Sequence, residues 1–192
     1  MLDPFPRAPT TIARVEQPRY TPVAQALHWL TAALVLAVLP LAWVATSLPA
    51  SPSKGFVFQL HKSVGITIFA IVALRILWRA WHPAPREAFV PPGLALLGRV
   101  NHWLLYAVFL LMPASGFVLS AAAGNTTQYF FLFSIPPFIE KNKAVADLAD
   151  QIHLAGQYAV YALVSLHLLA TAWHLIVRRD ALLDRMLPRQ DV

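Results

Sequence analysis

Four apolar stretches dominate this 192-residue chain, at residues 22–48, 56–81, 94–123 and 145–177. Each exceeds the roughly 20 residues that carry an α-helix across a hydrocarbon core. A bilayer offers no water to the backbone N–H and C=O groups, so stretches of this kind have to be helices. Four of them predict an all-α fold, an integral membrane four-helix bundle. Composition agrees, since the chain is 58% hydrophobic and 12% charged, whereas soluble domains average about 25% charged. Pro40 and Pro113 fall inside spans, where a kink is tolerated once neighbouring groups satisfy the freed carbonyl.

The polar connections are unequal. Residues 1–19 hold Pro4, Pro6, Arg7, Pro9, Arg14, Pro18 and Arg19 without an apolar run and read as a flexible tail. A signal peptide would bring its apolar core much sooner after the basic start. The bundle itself is assigned to 20–180 and a short second tail to 181–192. Residues 47–55 and 82–93 are short turns, and 124–147 is a longer loop. The loop's FFLFSIPPFI run fits either a segment lying on the membrane interface or a packed plug. An even number of spans puts both termini and the 82–93 turn on one side, which carries all eleven arginines. The other side holds only Lys54, Lys62, Lys141 and Lys143, so the termini are expected in the cytoplasm. The net charge of +6 then reflects topology and not a nucleic-acid surface.

There is no cysteine, which excludes disulfides, thiolate haem ligation, iron–sulfur clusters and cysteine zinc sites. Histidine is the remaining metal-seeking side chain, and six of the seven lie within spans; His82 sits in a turn and reads as solvated. A single intramembrane histidine is equally well explained by a hydrogen bond between helices. Six together point to a common role. His153 and His167 are 14 residues apart on one segment, a rise of about 21 Å and only about 40° short of four full turns. Two imidazoles therefore face the same way at two depths. Counting from the flanking basic residues, His61 and His153 lie near the lysine side, and His28 and His167 lie in the arginine-side half. His102 and His174 fall nearer the arginine-side boundary. Two depth-matched pairs result, each drawn from two helices, which is the arrangement that grips a haem from both faces.

Arg75 is 14 residues after His61 and shares its stripe. It is placed to pair with a haem propionate, although a helix-end anchor snorkelling to the interface fits the same position; for Arg79 the anchor reading is at least as good. Gly65 and Gly156 follow His61 and His153 within a turn, where a flat macrocycle needs room, but small residues serve plain helix packing as well. A dinuclear metal site or a proton relay would bring carboxylates into the spans, and these contain almost none.

The ordered set QALHWL (25–30), QLHKSVGI (59–66), RILWR (75–79), DQIHLAGQ (150–157) and SLHLLATAWH (165–174), with RMLP (185–188), resembles the bacterial cytochrome b561 family. These are small four-helix membrane cytochromes with two b-type haems. The resemblance implies that His28, His61, His153 and His167 are the axial iron ligands of two stacked haems. It implies a multi-pass protein of the bacterial inner membrane, and ubiquinone as electron partner. Some members are proposed to oxidise periplasmic superoxide, which makes a superoxide:ubiquinone oxidoreductase the leading expectation. Lys62, beside His61, would then help attract the anion, and His174 and His102 would contact the quinone or shuttle its proton. The competing expectation is a haem-bearing electron-transfer or anchor module for another redox protein or a periplasmic donor, with no substrate of its own. A haem-free bundle is the third reading.

Overall fold

The computed structural model describes residues 18–85, 90–180 and 182–188. The tail expected over 1–19 lies outside these apart from Pro18 and Arg19, as do Arg86 and Arg189. Four helices form: α1 (Pro22–Ser47), α2 (Pro52–Trp81), α3 (Pro92–Ala122) and α4 (Lys143–Trp173). All four are long and apolar enough to cross a membrane. Local chemistry explains their starts. Thr21 and Ser51 accept from the amides of Ala24 and Lys54, each followed by proline at the first helical position, and Asn142 accepts from Val145. The Ser51–Pro52 signal begins α2 four residues before the apolar run does. Pro40 and Pro113 sit within continuous helices.

Backbone packing runs α1 on α2, α2 on α3 and α3 on α4. The core gathers Val35, Val64, Ile68, Val72 and Tyr106 from the first three helices. Between α3 and α4, Gly156 lets the Met112 side chain occupy the place a Cβ would take. That contact assigns Gly156 to helix packing, the plainer of its two expected roles. Leu36, Leu74, Leu104, Leu166 and Leu169 stay exposed on the outer faces, as a lipid-facing surface requires.

The loop after α3 contains a small antiparallel hairpin, β1 (Thr127–Tyr129) with β2 (Phe133–Ile135). Its base docks on α2: Ser63 Oγ donates to the Gln128 carbonyl, the Phe130 amide donates to Ser63 Oγ, and Gln59 bonds Thr126 and Gln128. Thr127 is 1% exposed, whereas Leu132 at the tip is 78% exposed. The loop is thus packed at its base, as the plug reading expects, and apolar and exposed at its tip. Phe130 and Phe131 both have positive φ, 46° and 59°, a conformation costing L-residues about 1–2 kcal/mol each. The bond to Ser63 and the stacking of Phe131 on Phe56 at 4.9 Å hold them there.

At the opposite end residues 18–29 and 182–188 meet. α4 closes in a π-turn (His174–Arg178), Arg179 takes a left-handed conformation at φ 51°, and a 3-10 turn (Leu183–Met186) follows. Arg185 is 2% exposed and donates to the carbonyls of Pro85 (2.6 Å) and Pro18 (3.2 Å). Its own carbonyl accepts from the Tyr20 amide and from Gln25 Nε2, and the Met186 carbonyl accepts from Trp29 Nε1 at 2.8 Å. Residues 182–188 are therefore stitched to the entry of α1 and to the α2–α3 turn. We call this the terminal end, and the other the hairpin end. Arg185→Ala would strand two carbonyls that now accept from a charged donor, at about 3 kcal/mol. Chemical denaturation of the purified protein should register that loss, and limited proteolysis should release the C-terminal segment; unchanged values for both would contradict the clasp.

Candidate functional site

Two imidazole pairs form between α4 and the helices facing it. At the hairpin end, His61 of α2 and His153 of α4 have ring centroids 6.2 Å apart at 81°. At the terminal end, His28 of α1 and His167 of α4 are also 6.2 Å apart, at 66°. A metal–imidazole bond of about 2 Å on each side of one metal gives ring centres separated by roughly 6 Å. Both pairs are therefore spaced so that two imidazoles could share one metal. Among the described residues no three histidine, cysteine, aspartate or glutamate side chains gather round one point. The arrangement consists of two separate two-donor sites made of nitrogen ligands, and each pair would suit a haem, whose iron needs only two ligands from the protein.

The hairpin-end rings are held through Nδ1. His61 Nδ1 lies 3.3 Å from the Val38 carbonyl and His153 Nδ1 lies 2.9 Å from the Met112 carbonyl. A carbonyl only accepts, so both Nδ1 atoms carry the proton and both Nε2 atoms present a lone pair. Ser115 Oγ, which donates to Met112 O at 2.9 Å, is also 3.1 Å from His153 Nδ1 and accepts from it. Val38 and Met112 lie within two residues of the helix prolines Pro40 and Pro113, where a helix bends. Gly116 completes the support. A Cβ there would lie 3.0 Å from His153 Cε1, so any other residue would make the ring give by a few tenths of an ångström.

The terminal-end pair has different neighbours. Arg75 Nη2 is 3.2 Å from His28 Nδ1, and the guanidinium lies over the Tyr106 ring at 5.3 Å. Arg79 lies over Trp103 and Tyr106. The His102 ring is 5.3 Å from that of His167. A cleft beside this pair is lined by Tyr20, His28, Arg75, Arg79, His102 and Tyr106, with Met186 of the clasp at its edge.

Several expectations change in detail. His102, expected nearer the arginine-side boundary than the pair, lies against the His167 ring, on a helix α3 that begins at Pro92. His174 stands apart from it. The π-turn brings His174 Nδ1 to 2.7 Å from Asp180, which Arg178 also binds at 2.9 Å. His82 caps α2 and stacks on Trp78 at 4.0 Å. Lys62 is half-buried, donating to Ser120 Oγ at 2.9 Å. Of the other lysines at that end, Lys54 caps the Leu48 carbonyl, Lys143 pairs with Asp147, and exposed Lys141 covers Gly124. Gly116, Ser115 and Tyr106 were not singled out from the sequence; a run of small residues at 114–116 inside an apolar helix was the available signal.

Comparison with known proteins gives a consistent picture. A family model described as prokaryotic cytochrome b561 matches residues 19–189. The chain is 30% identical over 174 residues to "Cytochrome b561 homolog 2" of Escherichia coli (strain K12), covering 88% of this chain and 91% of that protein. It is 28% identical over 176 residues to "Probable superoxide oxidase CybB" of Yersinia pestis, covering 90% and 97%. To "Cytochrome b561 homolog 1" of Escherichia coli (strain K12) it is 26% identical over 170 residues, covering 85% and 94%.

Proposed function

Because the chain belongs to the prokaryotic cytochrome b561 family, and so is a multi-pass membrane protein that binds haem b and transfers electrons, we propose that it conducts electrons across the bilayer between two haem sites. The ligands in this reading are His61 and His153 at the hairpin end and His28 and His167 at the terminal end. The observation that carries it is the equal 6.2 Å separation of the two imidazole pairs. Haem b bound at each site would supply one-electron chemistry. Residues 20–180 form the cytochrome unit of this reading and residues 1–19 and 181–192 its two end segments, the second packed against the unit through residues 182–188. The protein sits in the bacterial inner membrane with the arginine-rich terminal end in the cytoplasm and the hairpin end in the periplasm, as the distribution of basic residues favours.

The proposed donor is superoxide at the hairpin end and the proposed acceptor is ubiquinone. Two superoxide anions lose one electron each to become dioxygen, and one quinone gains two electrons and two protons to become quinol. Support for the donor comes from the likeness to a protein named as a superoxide oxidase and from Lys62 next to His61. A cation beside the entry raises the local concentration of an anionic substrate. At the terminal end Arg75 is suited to a haem propionate, since it already lies in the cleft beside His28. His102 in the same cleft and His174, oriented by Asp180, are the groups proposed to bond a quinone carbonyl and pass its proton.

Stopped-flow mixing of superoxide with the oxidised protein tests this directly. Haem reduction should outrun spontaneous dismutation and slow with rising salt, and Lys62→Gln should lower its second-order rate by about tenfold. Reduction no faster than dismutation would reject superoxide and leave an electron-transfer module that serves another redox protein.

A further inference from the structure

The two imidazole pairs match in spacing but differ in what holds them, and that difference has a redox consequence. At the hairpin end both rings donate Nδ1–H to backbone carbonyls, His61 to Val38 and His153 to Met112, with Ser115 Oγ as a second acceptor for His153. An imidazole that donates from Nδ1 gains electron density on Nε2 and becomes a more basic ligand. At the terminal end neither ring has such an acceptor among the described residues. His28 Nδ1 faces the Arg75 guanidinium at 3.2 Å, and the ring contacts of His167 are His28 and His102. A guanidinium has donors only, so it cannot take a proton from Nδ1. When His28 binds through Nε2 its proton moves to Nδ1, and Arg75 must swing to another acceptor while its charge stays close.

The surrounding charges act in the same sense. Arg75 and Arg79 line the cleft beside His28, and no carboxylate is among its lining residues. At the hairpin end the charges have both signs. Lys62 adjoins His61 but reaches away to Ser120, and Asp150 lies one turn before His153 on α4.

Resting on the two-haem reading above, we propose that the Nδ1 partners make the two sites redox-unequal, with the hairpin-end pair the more reducing and the terminal-end pair the more oxidising. Basic ligands favour ferric iron and lower the potential, whereas nearby cations, which offset propionate charge, favour ferrous iron and raise it. One electron released by a donor at the hairpin end therefore comes to rest at the terminal end, where the acceptor takes it up. The bias gives the path its direction without any moving part, and Arg75 is its positioning residue.

Potentiometric titration of the purified holoprotein, followed by haem absorbance, tests the ordering. The titration should resolve two one-electron waves at least tenfold apart in equilibrium, which is 59 mV. His61→Ala, keeping the terminal-end site, should retain the upper wave, and His28→Ala the lower. Arg75→Gln should shift only the upper wave downwards, and Arg75→Lys, which keeps the charge, should restore part of the shift. Ser115→Ala should raise only the lower wave. If a ligand variant does not accumulate, Arg75→Gln in the otherwise native chain suffices. The proposal is overturned if the site kept by His61→Ala has the lower potential, or if Arg75→Gln moves the lower wave or neither. Loss of both haems or of neither in the single-ligand variants would refute the two-haem reading itself, and the ordering with it.

Discussion

His61→Ala should bind half the haem of the native protein and keep the remaining haem low-spin. His61 pairs with His153 at 6.2 Å and with no other histidine, while His28 and His167 form their own pair. Two imidazoles on one helix 14 residues apart are separated by about 21 Å, so neither site can borrow a ligand from the other. The bundle should survive the change, because the buried cluster of Val35, Val64, Ile68, Val72 and Tyr106 does not include His61. His153→Ala should behave the same way, and His28→Ala should delete the other haem. The pyridine haemochrome assay per chain reads the result. An unchanged haem content would remove His61 from the ligand set, and complete loss would show that the sites are interdependent.

Gly116→Leu should lose the same haem although it leaves every histidine in place. A Cβ at residue 116 would come within 3.0 Å of His153 Cε1 and 3.2 Å of Nδ1. The branched side chain beyond it has to occupy the plane of the ring. His153 would be pushed off α3, breaking its 2.9 Å bond to the Met112 carbonyl. With the ring displaced the 6.2 Å pairing with His61 is lost, and the hairpin-end site becomes a one-ligand site. Gly116→Ala should be milder: haem is retained, but the ring gives by a few tenths of an ångström and the EPR signal of that haem shifts. Full occupancy with an unchanged signal in Gly116→Leu would mean that His153 does not lie where the ligand has to be.

Much of this was legible from residue order because a bilayer fixes depth. Apolar length located all four helices, missing the start of α2 by four residues only because Lys54 and Gly55 interrupt its first turn. The imidazole pairs brought together by the fold are the two that depth matching had selected, since rise per residue is the same on every membrane helix. Lateral contacts were not readable in the same way. Nothing in residue order reveals that His153 turns its Nδ1 to a carbonyl of α3, or that Gly116 makes room for its ring, because both depend on how α3 and α4 rotate about their axes. The contact of His102 with His167 was not readable either, since it depends on how α3 and α4 face each other. The hairpin went unseen for a local reason. Its turn is Phe130–Phe131 instead of the glycine or asparagine that such turns favour, and its stability comes from Ser63 and Phe56 on another element. The clasp through Arg185 is invisible for the same reason, joining residues 160 and 167 positions apart.

The central claim is a pair of bis-histidine haem sites at the two ends of one bundle. Its most direct test is haem stoichiometry combined with the low-temperature EPR spectrum of the oxidised native protein. Two haems per chain, both low-spin, with no high-spin ferric signal, is the predicted result. One haem per chain, or a stoichiometric high-spin signal from an iron lacking its second imidazole, would contradict it.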